Sequence, residues 1–269
     1  MSQTDIAKIG QASEPGEYDA GMLELLQIMW GDGFLSPGGA DELDRVLEGS
    51  SLAGCRVLDI GCGLGVIDAL LVTQHHAASV VGIDIDPALL ASMRVRIERA
   101  GLTDRIQGIE VTPGPLPFPD AAFDVVFSKD SLVQIPDKSA IFAEVRRVLR
   151  PGGRFIASDW LRGGTGEYSP EMMEYFRLEG IAYNMATLEE SAAALRTAGF
   201  IDVEIRDRHA WYRELARREY AAMQGPLRSL ILERIGAERA AHFVANWAQL
   251  VVVLDRGELR PGHLKALKP

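Results

Sequence analysis

The sequence is poor in cysteine, in basic charge and in long apolar runs, and each shortage removes a class of protein. Two cysteines occur in 269 residues, Cys55 and Cys62, without a C-x-x-C pair or metal-ligand spacing. A disulfide scaffold is excluded, and both read as reduced packing residues of a cytoplasmic protein. Lys and Arg number 28 against 38 Asp and Glu, a net charge of −10. With no basic cluster, the chain is not expected to bind nucleic acid, whose recognition rests on phosphate neutralisation. No apolar stretch approaches the ~18 residues that span a bilayer, so no membrane partner is expected. Among the five histidines, the pair His75-His76 has no carboxylates at ligand spacing and fits a surface turn better than a metal site. His209, His242 and His263 stand alone. The opening residues, "MSQTDIAKIGQASEPGEYD", have neither an apolar core nor a cleavage pattern. They read as a flexible arm over residues 1–17 rather than a signal peptide.

What is present is an alternation of two periodicities. "RVLDIG" (56–61), "SVVGIDI" (79–85), "IQGIEV" (106–111), "FDVVFSK" (123–129) and "RFIASDW" (154–160) are short, nearly continuous apolar runs. Parallel strands covered by helices on both faces have this composition. Helical patterns lie between them. In "DPALLASMRVRIERAG" (86–101), Asp86 is placed to cap and Pro87 fits the first turn, while Leu89, Leu90, Met93, Ile97 and Ala100 share a face. "DKSAIFAEVRRVLRPGG" (137–153) follows the same logic and is stopped by Pro151-Gly152-Gly153. Alternating β and α segments with right-handed crossovers predict a doubly wound, mostly parallel α/β sheet. Beyond residue 160 the pattern loosens, and 161–187 is mixed and rich in Gly, Met and Tyr. A helix is predicted over 187–200, a half-exposed strand over 201–208, two or three amphipathic helices over 211–256, and a final strand in "HLKALKP" (263–269).

The first strand runs into glycines: "VLDIGCGLG" (57–65) places Gly61, Gly63 and Gly65 directly after it. Glycine there permits a sharp turn and lets a ligand approach main-chain N–H groups. A dinucleotide fingerprint, G-x-G-x-x-G, fails because its third glycine position is Val66. The spacing D-x-G-x-G-x-G, from Asp59, suits S-adenosylmethionine, which has no pyrophosphate and whose ammonium end Asp59 could face. At the end of the second strand Asp84 is placed to accept hydrogen bonds from ribose hydroxyls, with Asp86 better suited to capping the next helix. A nicotinamide cofactor and an ordinary turn with a helix cap remain the other readings of this loop.

Residues 56–160 resemble the class I S-adenosylmethionine-dependent methyltransferases. The chain is similar, more narrowly, to the phosphoethanolamine and sarcosine/dimethylglycine N-methyltransferases. The matching stretches are "YDAGMLELLQIMWGDGFLSPGG" (18–39), "VLDIGCGLG", "GIDID" (82–86), "FPDAAFDVVFSKDSLVQIPDK" (118–138) and "LRPGGRFIASDW" (149–160). The resemblance implies a seven-stranded, mostly parallel Rossmann-like methyltransferase fold. Lid helices would occupy 18–50, the S-adenosylmethionine-binding core 51–208 with a substrate insertion at about 161–187, and a helical cap and last strand 209–269. It implies that Tyr18 closes over the reaction site, that Leu35 and Ser36 touch the cofactor, and that Asp130 lies beside a methyl-accepting amine. Ile85, beside Asp84, and Ser128, at the end of the fourth strand, are counted with the cofactor residues.

The departures from that pattern bear on substrate. Gln134 stands where the phosphoethanolamine enzymes carry a histidine paired with the tyrosine, and an amide holds a hydroxyl but cannot take up a proton. Ile181 and Leu250 stand where an Arg and a Lys would hold the substrate phosphate, and Trp160 where a Tyr would; only Tyr183 persists. Without a cationic clamp a dianionic phosphate is poorly held. Thr112 stands where an acid often approaches the adenine amino group. Strand ends at the carboxyl edge of a parallel sheet are where ligands bind, so "FSKD" is expected to point Asp130 at the cofactor pocket. The expectation is a methyltransferase of a small molecule, on an amine nitrogen, with Tyr18, Asp130 and Gln134 at the reacting centre and Trp160 and Tyr183 against the substrate. A carbon, oxygen or sulfur acceptor fits the same scaffold, and the oligomeric state is not legible.

Overall fold

A computed structural model describes residues 16–181 and 183–269. The arm expected over 1–17 therefore lies, up to residue 15, outside the described residues.

The apolar runs become strands β1 (Arg56–Ile60), β2 (Ser79–Asp84), β3 (Ile106–Glu110), β4 (Phe123–Lys129) and β5 (Leu149–Asp159). β6 (Ile201–Asp207) and β7 (Gly262–Leu267) complete a seven-stranded sheet of order β3-β2-β1-β4-β5-β7-β6. The pairings among β1 to β5 are parallel. β7 inserts antiparallel between β5 and β6, so the last strand of the chain is interior to the sheet rather than at its edge. β5 begins earlier than the sequence pattern suggested: its pairing to β4 shifts register between Phe123 and Val125, and Gly152 adopts φ 74°, so Pro151-Gly153 form an irregularity within the strand.

Helices α1 (Ala20–Trp30) and α2 (Gly39–Leu47) precede the sheet, and α3 (Val66–Thr73), α4 (Pro87–Arg99), α5 (Lys138–Val148) and α7 (Leu188–Thr197) flank it. Their starts follow from side-chain caps. Asp86 accepts from the backbone N–H groups of Ala88 and Leu89, as the sequence implied, and Thr187 with Glu190 forms a reciprocal capping box. One sheet face packs Leu58, Val126 and Phe155 against Phe142 and Val145 of α5 and Leu195 of α7. The other packs Val57, Val80 and Phe127 against Leu43 and Val46 of α2, Leu71 of α3 and Met93 of α4. Alternation along each strand sends its side chains to the two faces in turn.

A third cluster belongs to a cap. Met22, Leu25 and Leu26 of α1, Tyr175 and Phe176 of α6 (Pro170–Glu179) and Tyr212 of α8 (His209–Gln224) pack together. Ile231 of α9 (Arg228–Ile235) and Trp247 and Leu250 of α10 (Ala237–Asp255) complete that cluster. α8 to α10 are inserted between β6 and β7. Among the described residues no helix is long and apolar enough to cross a membrane.

Candidate active site

β1 has β2 on one side and β4 on the other, so the strand order reverses beside it and a crevice opens above its carboxyl end. The glycine loop lies in that crevice. Gly61 has φ +79°, and a Cβ built on it would fall 1.9 Å from Ser131 Oγ. Any side chain there collides with the turn after β4. The loop is tied to β2: the N–H groups of Gly61 and Cys62 donate to the Ile83 carbonyl, and that of Gly63 to Asp84 Oδ2 at 2.9 Å. The carboxylate at the end of β2 therefore shapes the loop it faces. Burial raises the Asp84 pKa, opposed by the N–H groups that donate to it.

A cavity of about 640 Å³ occupies the crevice. Tyr18, Leu35, Ser36, Gly61, Gly63, Asp84, Ile85, Thr112, Asp130 and Gln134, all expected at the site, line it. Three residues expected at the cofactor do not. Asp59 is 2% exposed and lies beneath the loop, because its position in β1 faces the α3 side, where it meets Asp68. Asp59 Oδ1 has no hydrogen-bond partner among the described residues, and burial, with the charges of Asp68 and Asp84, holds its pKa well above the usual carboxylate range. Gly65 is the N-cap of α3, with φ +74° and Met93 of α4 packed where a side chain would be. Ser128 is fully buried and donates from Oγ to the Ile60 carbonyl at 2.9 Å, tying β4 to β1.

Asp130 follows β4 with φ 57°, a left-handed conformation that Asp tolerates better than most side chains. Its N–H donates to the Ser158 carbonyl at 2.8 Å, and its Oδ1 accepts from Ser158 Oγ at 3.1 Å. Its Oδ2 accepts from Lys129 Nζ at 2.7 Å, in an ion pair whose side chains are 2% and 7% exposed. Lys129 also donates to Ser36 Oγ and the Pro37 carbonyl, at 2.7 and 3.2 Å. The lysine thus links the N-terminal segment to Asp130. Gln134 ends a short 3-10 turn, Leu132–Gln134, that Lys138 braces by donating to the Leu132 and Ile135 carbonyls. Burial raises the Tyr18 pKa far above that of a free phenol, with the charges of Glu179, Asp84, Glu17 and Asp130 adding to it. Its hydroxyl therefore keeps its proton.

A second, smaller cavity of about 60 Å³ lies under the cap. Tyr18, Leu35, Asp130 and Gln134 line both cavities, so the three residues expected at the reacting centre form the junction. Trp160 and Tyr183, the expected substrate residues, line only the smaller one, together with Trp30, Tyr175, Tyr212, Phe243 and Trp247. Trp160 meets Tyr212 edge-on, with ring centroids 4.8 Å apart. Trp30 and Trp247 both donate from Nε1 to Glu219, which fixes their rings from behind. Ile181 and Leu250 line the wall as apolar residues, and among the described residues lining this cavity none is Lys, Arg or His.

Several of these residues carried no sequence signal of a role. Tyr175 and Glu179 fall in "MMEYFRLEGIAYNM", inside the substrate insertion expected at about 161–187, where neither stood out as an individual residue. The helix start Ser169-Pro170, with Ser169 Oγ accepting from the Met172 N–H, marks α6 locally. His263, which appeared isolated, is buried against Glu42 at 2.8 Å, and Glu42 also pairs with Arg208. The partners are more than 150 residues apart in sequence, so no local pattern could join them.

Residues 58–157 match the family described as "Methyltransferase domain". The chain is 30% identical over 256 residues to a phosphoethanolamine N-methyltransferase of Triticum aestivum, covering 91% of this chain and 48% of that protein. It spans about half the length of the curated relative it matches there. Its fold is that of a Haemonchus contortus phosphoethanolamine N-methyltransferase in complex with phosphomonomethylethanolamine and S-adenosylhomocysteine. That likeness has a TM-score of 0.86 at 23% identity, covering 94% of this chain and 59% of that one. A putative sarcosine dimethylglycine methyltransferase from Galdieria sulphuraria aligns with a TM-score of 0.76 at 19% identity, over 93% of this chain and 98% of that one.

Proposed function

From the premise that residues 58–157 belong to the methyltransferase-domain family, we propose that the protein transfers a methyl group from S-adenosylmethionine to the nitrogen of a small amine. The observation that carries this is the junction of the two cavities at Tyr18, Leu35, Asp130 and Gln134. One compartment is large enough for a nucleoside joined to an amino acid. The other is small and aromatic, and a carboxylate stands between them.

The residues of the larger cavity fit the cofactor. The backbone at Gly61 and Gly63 is open to close approach, since neither carries a side chain and both have positive φ. Asp84 is placed for ribose hydroxyls, and Val111, Thr112 and Leu116 offer a wall for the base. Asp59 lies beneath the loop, where burial and its acidic neighbours favour its neutral form, and it does not line the cavity. When bound, the cofactor supplies a methyl group on a sulfonium, open to displacement by a nitrogen lone pair.

The chain's own contribution is placement and charge. Each Asp130 oxygen accepts one hydrogen bond, from Ser158 Oγ or Lys129 Nζ, which leaves lone pairs for an amine N–H. An N–H held there fixes the nitrogen, and the carboxylate stabilises the positive charge that grows on it. Tyr18, held protonated by its surroundings, donates a hydrogen bond and does not serve as base. Gln134 cannot take up a proton either. Asp130 is therefore the group at the junction able to receive one. The Lys129 ammonium offsets part of the Asp130 charge and anchors the carboxylate. The absence of a basic side chain among the described residues lining the smaller cavity argues against a phosphorylated acceptor.

Turnover with isotopically labelled S-adenosylmethionine and a panel of small amines, phenols, thiols and carbon acceptors tests the proposal. Label is expected in unphosphorylated amines, with phosphoethanolamine a poor acceptor. Label carried only by carbon, oxygen or sulfur compounds would overturn the choice of nitrogen.

A further inference from the structure

The smaller cavity contains a carboxylate that the proposed transfer does not use. Glu179, the last residue of α6, lines it, as does Asn246 of α10. Asn246 Nδ2 donates to Glu179 Oε2. A carboxylate needs a donor, so this bond fixes which way the amide points. Asn246 Oδ1 is left buried with no hydrogen-bond partner among the described residues, in a residue only 2% exposed. Glu179 and the Asn246 carbonyl are thus two acceptors that line the smaller cavity and not the larger one, with no basic residue among the described lining residues to answer them. Glu179 lines the cavity together with Tyr18, Tyr175, Tyr183 and Tyr212, and burial there raises its pKa, opposed by the hydrogen bond from Asn246. Aromatic faces attract cations and repel anions. An unanswered buried acceptor costs stability until a donor reaches it.

Building on the methyltransferase reading above, we propose that Glu179, with Asn246, recognises the far end of the acceptor, and that this end is a hydrogen-bond donor. The acceptor class is then a short diamine or amino alcohol. One end presents its nitrogen to Asp130 and the other an ammonium or hydroxyl to Glu179 and Asn246 Oδ1. A cavity of about 60 Å³ holds roughly four to six water-sized groups, which suits a two- or three-carbon spacer. A carboxylate or phosphate at the far end meets Glu179 with like charge, and an alkyl end leaves both acceptors unanswered.

The test compares kcat/KM for ethylenediamine, ethanolamine, n-propylamine, glycine and phosphoethanolamine in this protein, with S-adenosylhomocysteine affinity measured alongside by calorimetry. The donor-ended amines are expected to exceed n-propylamine by about tenfold to a hundredfold, as for one charged hydrogen bond, and the two anionic-ended amines to fall below it. In Glu179→Gln that preference shrinks to within about threefold, through KM for the donor-ended amines, while n-propylamine and S-adenosylhomocysteine affinity are unaffected. A wild-type preference for glycine or n-propylamine overturns the inference even if the variant does not fold, and so does an equal loss on every amine in Glu179→Gln. Methylation of none of the amines, with S-adenosylhomocysteine still bound, refutes instead the amine reading on which the inference stands.

Discussion

Replacing Asp130 tests the reacting centre, and the structure shows how to separate its chemistry from its role in stability. Asn is the substitution of choice because it tolerates the φ of 57° at this position. Asp130→Asn removes the charge that faces Lys129, whose side chain is 2% exposed. Stranding one member of a buried pair costs about 3–5 kcal/mol. Here the lower end applies, because Ser36 Oγ and the Pro37 carbonyl still accept from Nζ. About 3 kcal/mol corresponds to a fall in Tm of roughly 6–12 °C in a protein of this size. Lys129→Met/Asp130→Asn removes both charges, and replacing a buried pair by apolar groups is often near neutral, so most of that Tm should return. Activity should not return. One charged hydrogen bond to the amine is worth about 2–3 kcal/mol, so both variants lose roughly 30- to 150-fold in kcat/KM. Scanning calorimetry and steady-state kinetics read the two effects, and S-adenosylhomocysteine affinity in Asp130→Asn should stay within about threefold of wild type. A double variant that turns over at the wild-type rate would refute a chemical role for Asp130.

Two further outcomes follow from packing and burial. Gly61→Ala places a Cβ 1.9 Å from Ser131 Oγ at a φ of +79°; strain and overpacking together cost about 2–5 kcal/mol. S-adenosylhomocysteine binding should be lost in Gly61→Ala and partly restored in Gly61→Ala/Ser131→Gly; unchanged affinity in the single variant would contradict the crowded loop. Asp68, fully buried, has its pKa raised by burial, with Asp84 adding to it, from 3.8 to about 7. The folded chain thus keeps a proton that the unfolded chain gives up, so stability falls as pH rises from near 4 to near 7, and the penalty is complete above that. Asp68→Asn should leave stability unchanged near pH 4 and raise it at pH 8, by up to about 4 kcal/mol; equal effects at both pH values in chemical denaturation would rule this out.

The sheet was legible because parallel strands buried on both faces are written as continuous apolar runs, and capping residues such as Asp86 and Thr187 mark helix starts locally. The insertion of β7 between β5 and β6 was not, since nothing in "HLKALKP" says which strands it joins. At the site, the glycine loop, Asp84 and Asp130 were legible because main-chain geometry dictates their residue types. The sequence placed Asp59 and Ser128 at the cofactor. The structure puts both behind the cavity wall, because alternation along a strand decides which face a side chain takes, and a motif alone does not show that face. Glu179, Asn246 and the Glu219 brace behind Trp30 and Trp247 belong to helices brought together only by the folded cap. The Lys129–Asp130 pair, by contrast, could be read as neighbours in sequence, but not the reach of Lys129 to Ser36.

Isothermal calorimetry with S-adenosylhomocysteine tests the central claim most directly, that the crevice above Gly61 and Gly63 is built for this cofactor. One molecule should bind per chain, affinity should fall at least about tenfold in Asp84→Ala as ribose hydrogen bonds are lost, and NADH should give no heat. Heat from NADH and none from S-adenosylhomocysteine would contradict the account.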